Sequence, residues 1–224
     1  MKTQSEHWQQ WFESVWKQRE EVVYPKLFGA FTGEIRTLSR AWFESMGFQD
    51  IDPRWLTHGI LESPPNDRHD NWVYITTGLS NPWGVDPAEK RTDPYSGLGV
   101  EFFMQTAESA PWAIEVLGTL MAMQILAAQE LIAGGLVEAF DRVPLGRTID
   151  KSGDSLIKNL LILPPEHVPA QAQLDSGLFY LLLCVGITDA EVQFARAQDG
   201  PGLQKLLMHH DYIRVTQAHR PSSV

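Results

Sequence analysis

Between Pro111 and Gly135 the chain reads PWAIEVLGTLMAMQILAAQELIAGG, too long for a strand and apolar on every side when wound into a helix. A helix of that kind has to be covered over most of its surface. A bilayer is a poor cover, because Glu115 and Glu130 bracket only fourteen residues, Gln124 among them, where spanning takes about 20 apolar residues. The cover is therefore expected to be protein. Ser109 and Pro111 supply start signals and Gly134-Gly135 a stop, so a buried helix is expected over 112–133.

Strand patterns around this helix offer the covering surface. In SGLGVEFFMQT, Ser96 to Thr106, Val100, Phe102 and Met104 alternate with Glu101, Phe103 and Gln105, which is the period of a strand. The two glycines invite a phosphate-loop reading. Phe102 stands where a third glycine would be, however, and a phosphate loop has to open a helix. A turn feeding a strand over 100–106 is expected instead. EIRTLS, RWLTHGIL and NWVYITTG before it read as further strands in a meander, and LIKNLLIL and GLFYLLLCVGI after the helix read as buried strands, with a strand over 178–185. Cys184, the single cysteine, reads as a small apolar filler of the last of these.

The first thirty residues read as a separate amphipathic helix. Thr3 and Glu6 can cap it, Trp8, Trp11, Phe12, Val15, Trp16, Val22 and Val23 recur at helical spacing, and Pro25 and Gly29 end it. Whether its stripe covers the core or docks a partner stays open. Near the C-terminus Thr188-x-x-Glu191 is a capping box for a short helix, followed by a helical turn carrying Leu203, Leu206 and Leu207. These elements predict an α+β fold: a single domain with a mixed or antiparallel sheet, one long buried helix and peripheral helices. The helix occupies residues 1–33 and the domain proper residues 34–224.

The 224 residues are 43% hydrophobic, enough for a substantial core, and carry a net charge of −10. Nucleic-acid binding needs clustered Lys and Arg and is not expected. Nor is a membrane. The N-terminus, MKTQSEHWQQW, lacks the apolar run of a signal peptide, and one cysteine suits a reducing compartment, so a cytoplasmic protein is expected.

A search for chemistry returns little. There is no C-x-x-C, H-E-x-x-H or G-x-S-x-G, and Ser80 lacks the glycines of a nucleophile elbow. His209-His210-Asp211 reads as a polar helix end, since adjacent helical side chains point about 100° apart. Neither catalytic residues, nor a metal, nor a cofactor is expected. Glu101 and Asp141 are the carboxylates an unrecognised acid pair would use, which keeps an enzyme or small-molecule binder open as the alternative. Three stretches combine aromatic, glycine and polar residues as binding loops do: NWVYITTGLSNPWG, KRTDPYSGLGVEF and FDRVPLGRTID. They make Tyr74, Asp93, Tyr95 and Asp141 candidates for contact with a partner.

Five segments in order, WVYITTGLS from Trp72, SGLGVEF from Ser96, APWAIEVLGTLM from Ala110, FDRVPL from Phe140 and YLLLCVGITDAEVQFARAQDGPGLQKLL from Tyr180, resemble the Suppressor of fused domain family over roughly residues 35 to 215. The resemblance implies a non-enzymatic α+β domain that holds another protein. Animal members carry a second domain that closes over a partner peptide. The shorter chain looks like bacterial members, which implies an immunity or regulatory protein whose partner is a toxin or a regulatory protein. It also implies partner-binding roles for Trp83, the aromatic just after G-L-S, and for Asp93, shortly before the S-G-x-G turn.

Overall fold

The computed structural model describes residues 4–83, 85, 94–198, 200–210 and 212–224. The chain opens with α1 (Gln4–Lys17), a π-helical turn (Gln18–Val23) and α2 (Tyr24–Phe28), one continuous helical segment closed by Gly29 at φ 74°. Pro25 does not interrupt it. Proline breaks a helix through its missing N–H and its clash with the carbonyl four residues back, and Pro25 sits in the first turn of α2, just after a π turn in which Tyr24 N–H reaches back five residues to Arg19 O.

The elements that follow are β1 (Thr32–Thr37), α3 (Arg40–Ser45), a 3₁₀ helix (Pro53–Thr57), β2 (Gly59–Ser63), β3 (Trp72–Thr77), β4 (Tyr95–Thr106) and α4 (Pro111–Ala128). Next come β5 (Arg142–Pro144), β6 (Ile157–Leu163), β7 (Gln171–Leu174), β8 (Gly177–Thr188), α5 (Asp189–Gln198) and α6 (Gly200–His209). The strands form one sheet in the order β1-β2-β3-β4-β8-β6-β5, with β7 also on β8. Every pairing is antiparallel except β4 with β8. The mixed sheet and single domain are those expected.

Period-2 alternation splits the strands between two cores. Val100, Phe102 and Met104 of β4, with Leu182 and Cys184 of β8, face α4. Phe103, Leu181, Leu183 and Val185 face the N-terminal helices, α5 and α6. Apolar surface on both faces explains why β6 and β8 read as continuous runs. Leu117, Leu120, Met121 and Leu126 of α4 are almost wholly buried, each contributing roughly 1.5–3 kcal/mol relative to exposure. By length and composition α4 could cross a membrane, and 61% of it is buried inside the fold. Cys184 is buried too, and burial pushes its thiol well above the ordinary value.

Two further expectations change. The long helix ends at Ala128, because Glu130 adopts φ 57° and Leu131 N–H turns back to Leu126 O at 2.9 Å, a C-cap usually given to glycine. RWLTHGIL is not one strand: Asp52 caps the 3₁₀ helix by accepting from Arg54 N–H, and β2 starts only at Gly59. For the N-terminal helix, whose role was left open, Val15, Tyr24 and Phe28 are buried in the same core as the sheet. The capping box is formed, with Glu191 N–H donating to Thr188 Oγ1 at 3.1 Å and Thr188 N–H to Glu191 Oε2 at 2.8 Å.

Candidate functional site

The loop after β3 is organised by a buried carboxylate. Glu101 points from β4 into the interior and accepts from Thr76 Oγ1 (2.6 Å), Gly78 N–H (3.0 Å), Ser80 N–H (2.9 Å) and Ser80 Oγ (2.6 Å). Arg19 lies 4.0 Å from it. The π turn sets Arg19 beside Glu20, and the guanidinium donates to Thr77 Oγ1, Ser80 Oγ, Asn81 Oδ1 and Glu20 Oε1. Burial raises the Glu101 pKa, and Arg19 with the Ser80 and Thr76 donors offsets only part of that rise. Glu101 is thus a structural acid that ties the N-terminal helices to the ends of β3 and β4.

That loop in turn shapes β4. Tyr95 pairs with Leu178 and Val100 with Tyr180, so β4 bulges outward over Ser96–Gly99. Gly97 sits at φ 57°, where a Cβ would lie 2.5 Å from the carbonyl oxygens of Leu79 and Asn81. Leu98 N–H donates to Leu79 O at 2.7 Å and Ser96 Oγ to Ser80 O at 2.6 Å. The glycines of S-G-L-G allow two backbones to approach, and β4 runs on as a strand.

Beyond the C-terminal end of α4 the start of β4 and β8 is left partly uncovered. Tyr95 and Tyr180, each 38% exposed, lie with ring centroids 6.0 Å apart. With Leu98, Val100 and Leu182 they line a groove of about 480 Å³ whose opposite wall is Leu136–Ala139. Gln124 Oε1 accepts from Val137 N–H and the Asp141 carboxylate from Glu138 N–H, both at 2.8 Å. Phe140 N–H and Asp141 O then bond to the backbone of Ile162 in β6. The wall is therefore fixed, while Leu136 (41%) and Phe140 (60%) remain exposed.

Of the expected contact residues, Tyr95 lines this groove, while Asp141 does not line it and only holds the backbone N–H of Glu138 in its wall. Trp83 belongs to an adjoining cavity of about 420 Å³ that shares Leu98 with it. Its ring does not point freely outward: it packs on Phe12 (4.3 Å) and Trp8 (5.8 Å), with the Arg54 guanidinium 5.8 Å from it. Tyr74 is corrected from contact residue to core residue. It is fully buried on the α4 side of β3 and its hydroxyl accepts from Ala110 N–H. Asp93 lies outside the described residues, as does Asp211. Tyr180 and Leu136 also line the groove and were not among the expected contact residues. A hydroxyl-bearing aromatic inside the apolar run LFYLLLC was a usable sign for Tyr180, since its polar end seeks water or a partner.

No group of three or more His, Cys, Asp or Glu among the described residues could hold a metal. Glu191 is the second buried acid. Burial would raise its pKa, but Arg220, paired with both carboxylate oxygens at 2.6 Å, and the Thr188 and Ser223 amides hold it below its ordinary value. Neither it nor Glu101 lines the groove.

Residues 54–221 match the family model described as Suppressor of fused protein (SUFU). No curated protein matches the chain in sequence. Among solved structures, the chain is similar to one in the Sufu-Fu complex (TM-score 0.65, 19% identity, 95% of this chain and 92% of that one). It is also similar to a SUFU homolog from Neisseria gonorrhoeae FA 1090 (TM-score 0.61, 18% identity, 96% and 98%). Drosophila Suppressor of Fused aligns with 74% of this chain and 42% of its own length, at TM-score 0.57 and 19% identity.

Proposed function

The chain belongs to the Suppressor of fused family, and on that premise we propose that it is a protein-binding module that holds a segment of another protein in the tyrosine-lined groove. The observation that carries this reading is the groove itself, a fixed apolar trough with two half-exposed tyrosines on one side and Leu136 on the other. Rigid aromatic side chains in a concave apolar setting are the usual anchors of protein interfaces. The occupant that fits is a basic segment with an apolar anchor. The protein carries a net charge of −10, and Glu138 stands on the wall of the trough. The finer role is sequestration of a basic regulatory protein or toxin, as an immunity protein would do. The reading is non-enzymatic, and the two arginine-paired buried acids, both away from the groove, support it.

Affinity capture followed by titration of the captured protein tests this reading. Tyr180→Ala should weaken binding by about 2 kcal/mol, as loss of a hot-spot aromatic does, with little change in melting temperature. Undiminished affinity in both Tyr180→Ala and Leu136→Asp would place the interface elsewhere.

A further inference from the structure

The surface around Trp83 is already occupied, and its occupant is a helix. Trp8 and Phe12, four residues apart and stacked at 5.0 Å, lie on one face of α1. Both rings meet Trp83, at 5.8 and 4.3 Å. Trp8 Nε1 donates to Val85 O at 2.8 Å, and the Arg54 guanidinium lies over the Trp83 ring at 5.8 Å. Beneath lies the cavity lined by Trp55, His58, Leu98 and Ile125, into whose wall the buried Trp83 Nε1 brings a donor with no partner among the described residues.

The hold on α1 is uneven along its length. From Val15 onward the segment is anchored: Val15 is buried, Gln18 exchanges hydrogen bonds with Asp175, and Arg19 is bound by Thr77, Ser80 and Asn81. Ahead of Val15, the side chains from Glu6 to Ser14 are exposed or only half-buried, with Trp11 resting against the second core and Trp8 and Phe12 on Trp83. The π turn Gln18–Val23 lies within the anchored stretch and carries Arg19 to its partners, so the change in hold falls within α1, ahead of Val15.

We infer that the Trp83 surface is a docking site for an amphipathic helix bearing aromatic residues at i and i+4. In this chain α1 fills that site as a releasable occupant, moving about the anchored stretch that starts at Val15. This inference does not rest on the tyrosine-lined groove. An incoming helix of the same pattern would take the stacking positions of Trp8 and Phe12 and the Val85 carbonyl. It must compete with a tethered segment, whose effective concentration is in the millimolar range for a short tether.

The test uses full-length proteins and a fluorescently labelled peptide of residues 4–17. The Trp8→Ala/Phe12→Ala variant should bind the peptide at least tenfold more tightly than the wild type, whose own α1 competes. Adding Trp83→Ala to that variant should bring binding back to the wild-type level. Equal binding by all three proteins, or none by a folded double variant, overturns the inference. A second measurement covers a double variant that does not fold. In the wild type, amides of residues 6–14 should exchange hydrogen at least tenfold faster than those of 19–24 and 26–28, and Trp83→Ala should accelerate the first set alone. A single uniform rate along the whole segment would show that α1 does not open separately.

Discussion

Arg19 enters the interior with Glu20 at 3.1 Å and Glu101 at 4.0 Å, so two carboxylates depend on one guanidinium for charge compensation. Removing one partner of a buried ion pair leaves an uncompensated charge and costs about 3–5 kcal/mol. Arg19→Ala should lower the unfolding free energy by that order in a urea titration. His58 adds a pH dependence. It is 4% exposed, and burial, only partly opposed by the Arg54 carbonyl, pushes its pKa down to about 4. Above the ordinary value near 6.5 the ring is neutral in both the folded and unfolded chains and pH has no hold on it. As pH falls from 6.5 to 4 the unfolded chain takes up a proton that the folded one refuses. Stability therefore drops by about 3 kcal/mol across that window and levels off below it. Melting temperatures from pH 7.5 to 4 should show this decline, and His58→Gln should reduce it, leaving the smaller share of the partly buried His167, which burial also pushes down to about 4.

At the level of elements, β4 carries most of the information. Its alternation was legible because the polar Glu101 and Gln105 interrupt the apolar run on one face, so the period of the strand is written in Val100, Phe102 and Met104. The bulge before it was legible as two glycines but not as a contact, since the carbonyls that require Gly97 come from residues 79 and 81. Gly97→Ala should cost about 1–3 kcal/mol for its positive φ alone, with the backbone clash in addition, measured as a loss of thermal stability. Other features were hidden for physical reasons. β5 and β7, with three and four residues, are too short to show a period. The end of α4 was misread because Glu130 takes a backbone conformation that only glycine adopts at low cost. Trp83 looked like a free loop aromatic because its partners Trp8 and Phe12 lie some seventy residues upstream, and no local pattern records such a pairing. Of the residues lining the groove, Tyr95 was legible in a polar loop, whereas Tyr180 lay inside an apolar strand.

For the whole molecule, the net charge of −10 bears on encounter more than on the bound state. If the partner is basic, its association rate should fall severalfold between about 0.01 and 0.15 M salt, as the screening length shrinks from about 30 to 8 Å. Dissociation from the apolar groove should change much less. Stopped-flow association at several salt concentrations would show this, and salt-independent association would exclude a basic partner. The parallel pairing of β4 with β8 has a consequence in time as well as space. Tyr95 meets Leu178, so one side of the central strand of the sheet waits for more than 80 residues of chain. At about 5–20 residues per second on the ribosome, β4 spends several seconds with that edge unpaired. The N-terminal helices, β2 and β3 can by then have closed the other side of β4 and one of its faces. Until β8 emerges, the half-made sheet presents an unpaired strand edge, the kind of template on which neighbouring nascent chains can pair.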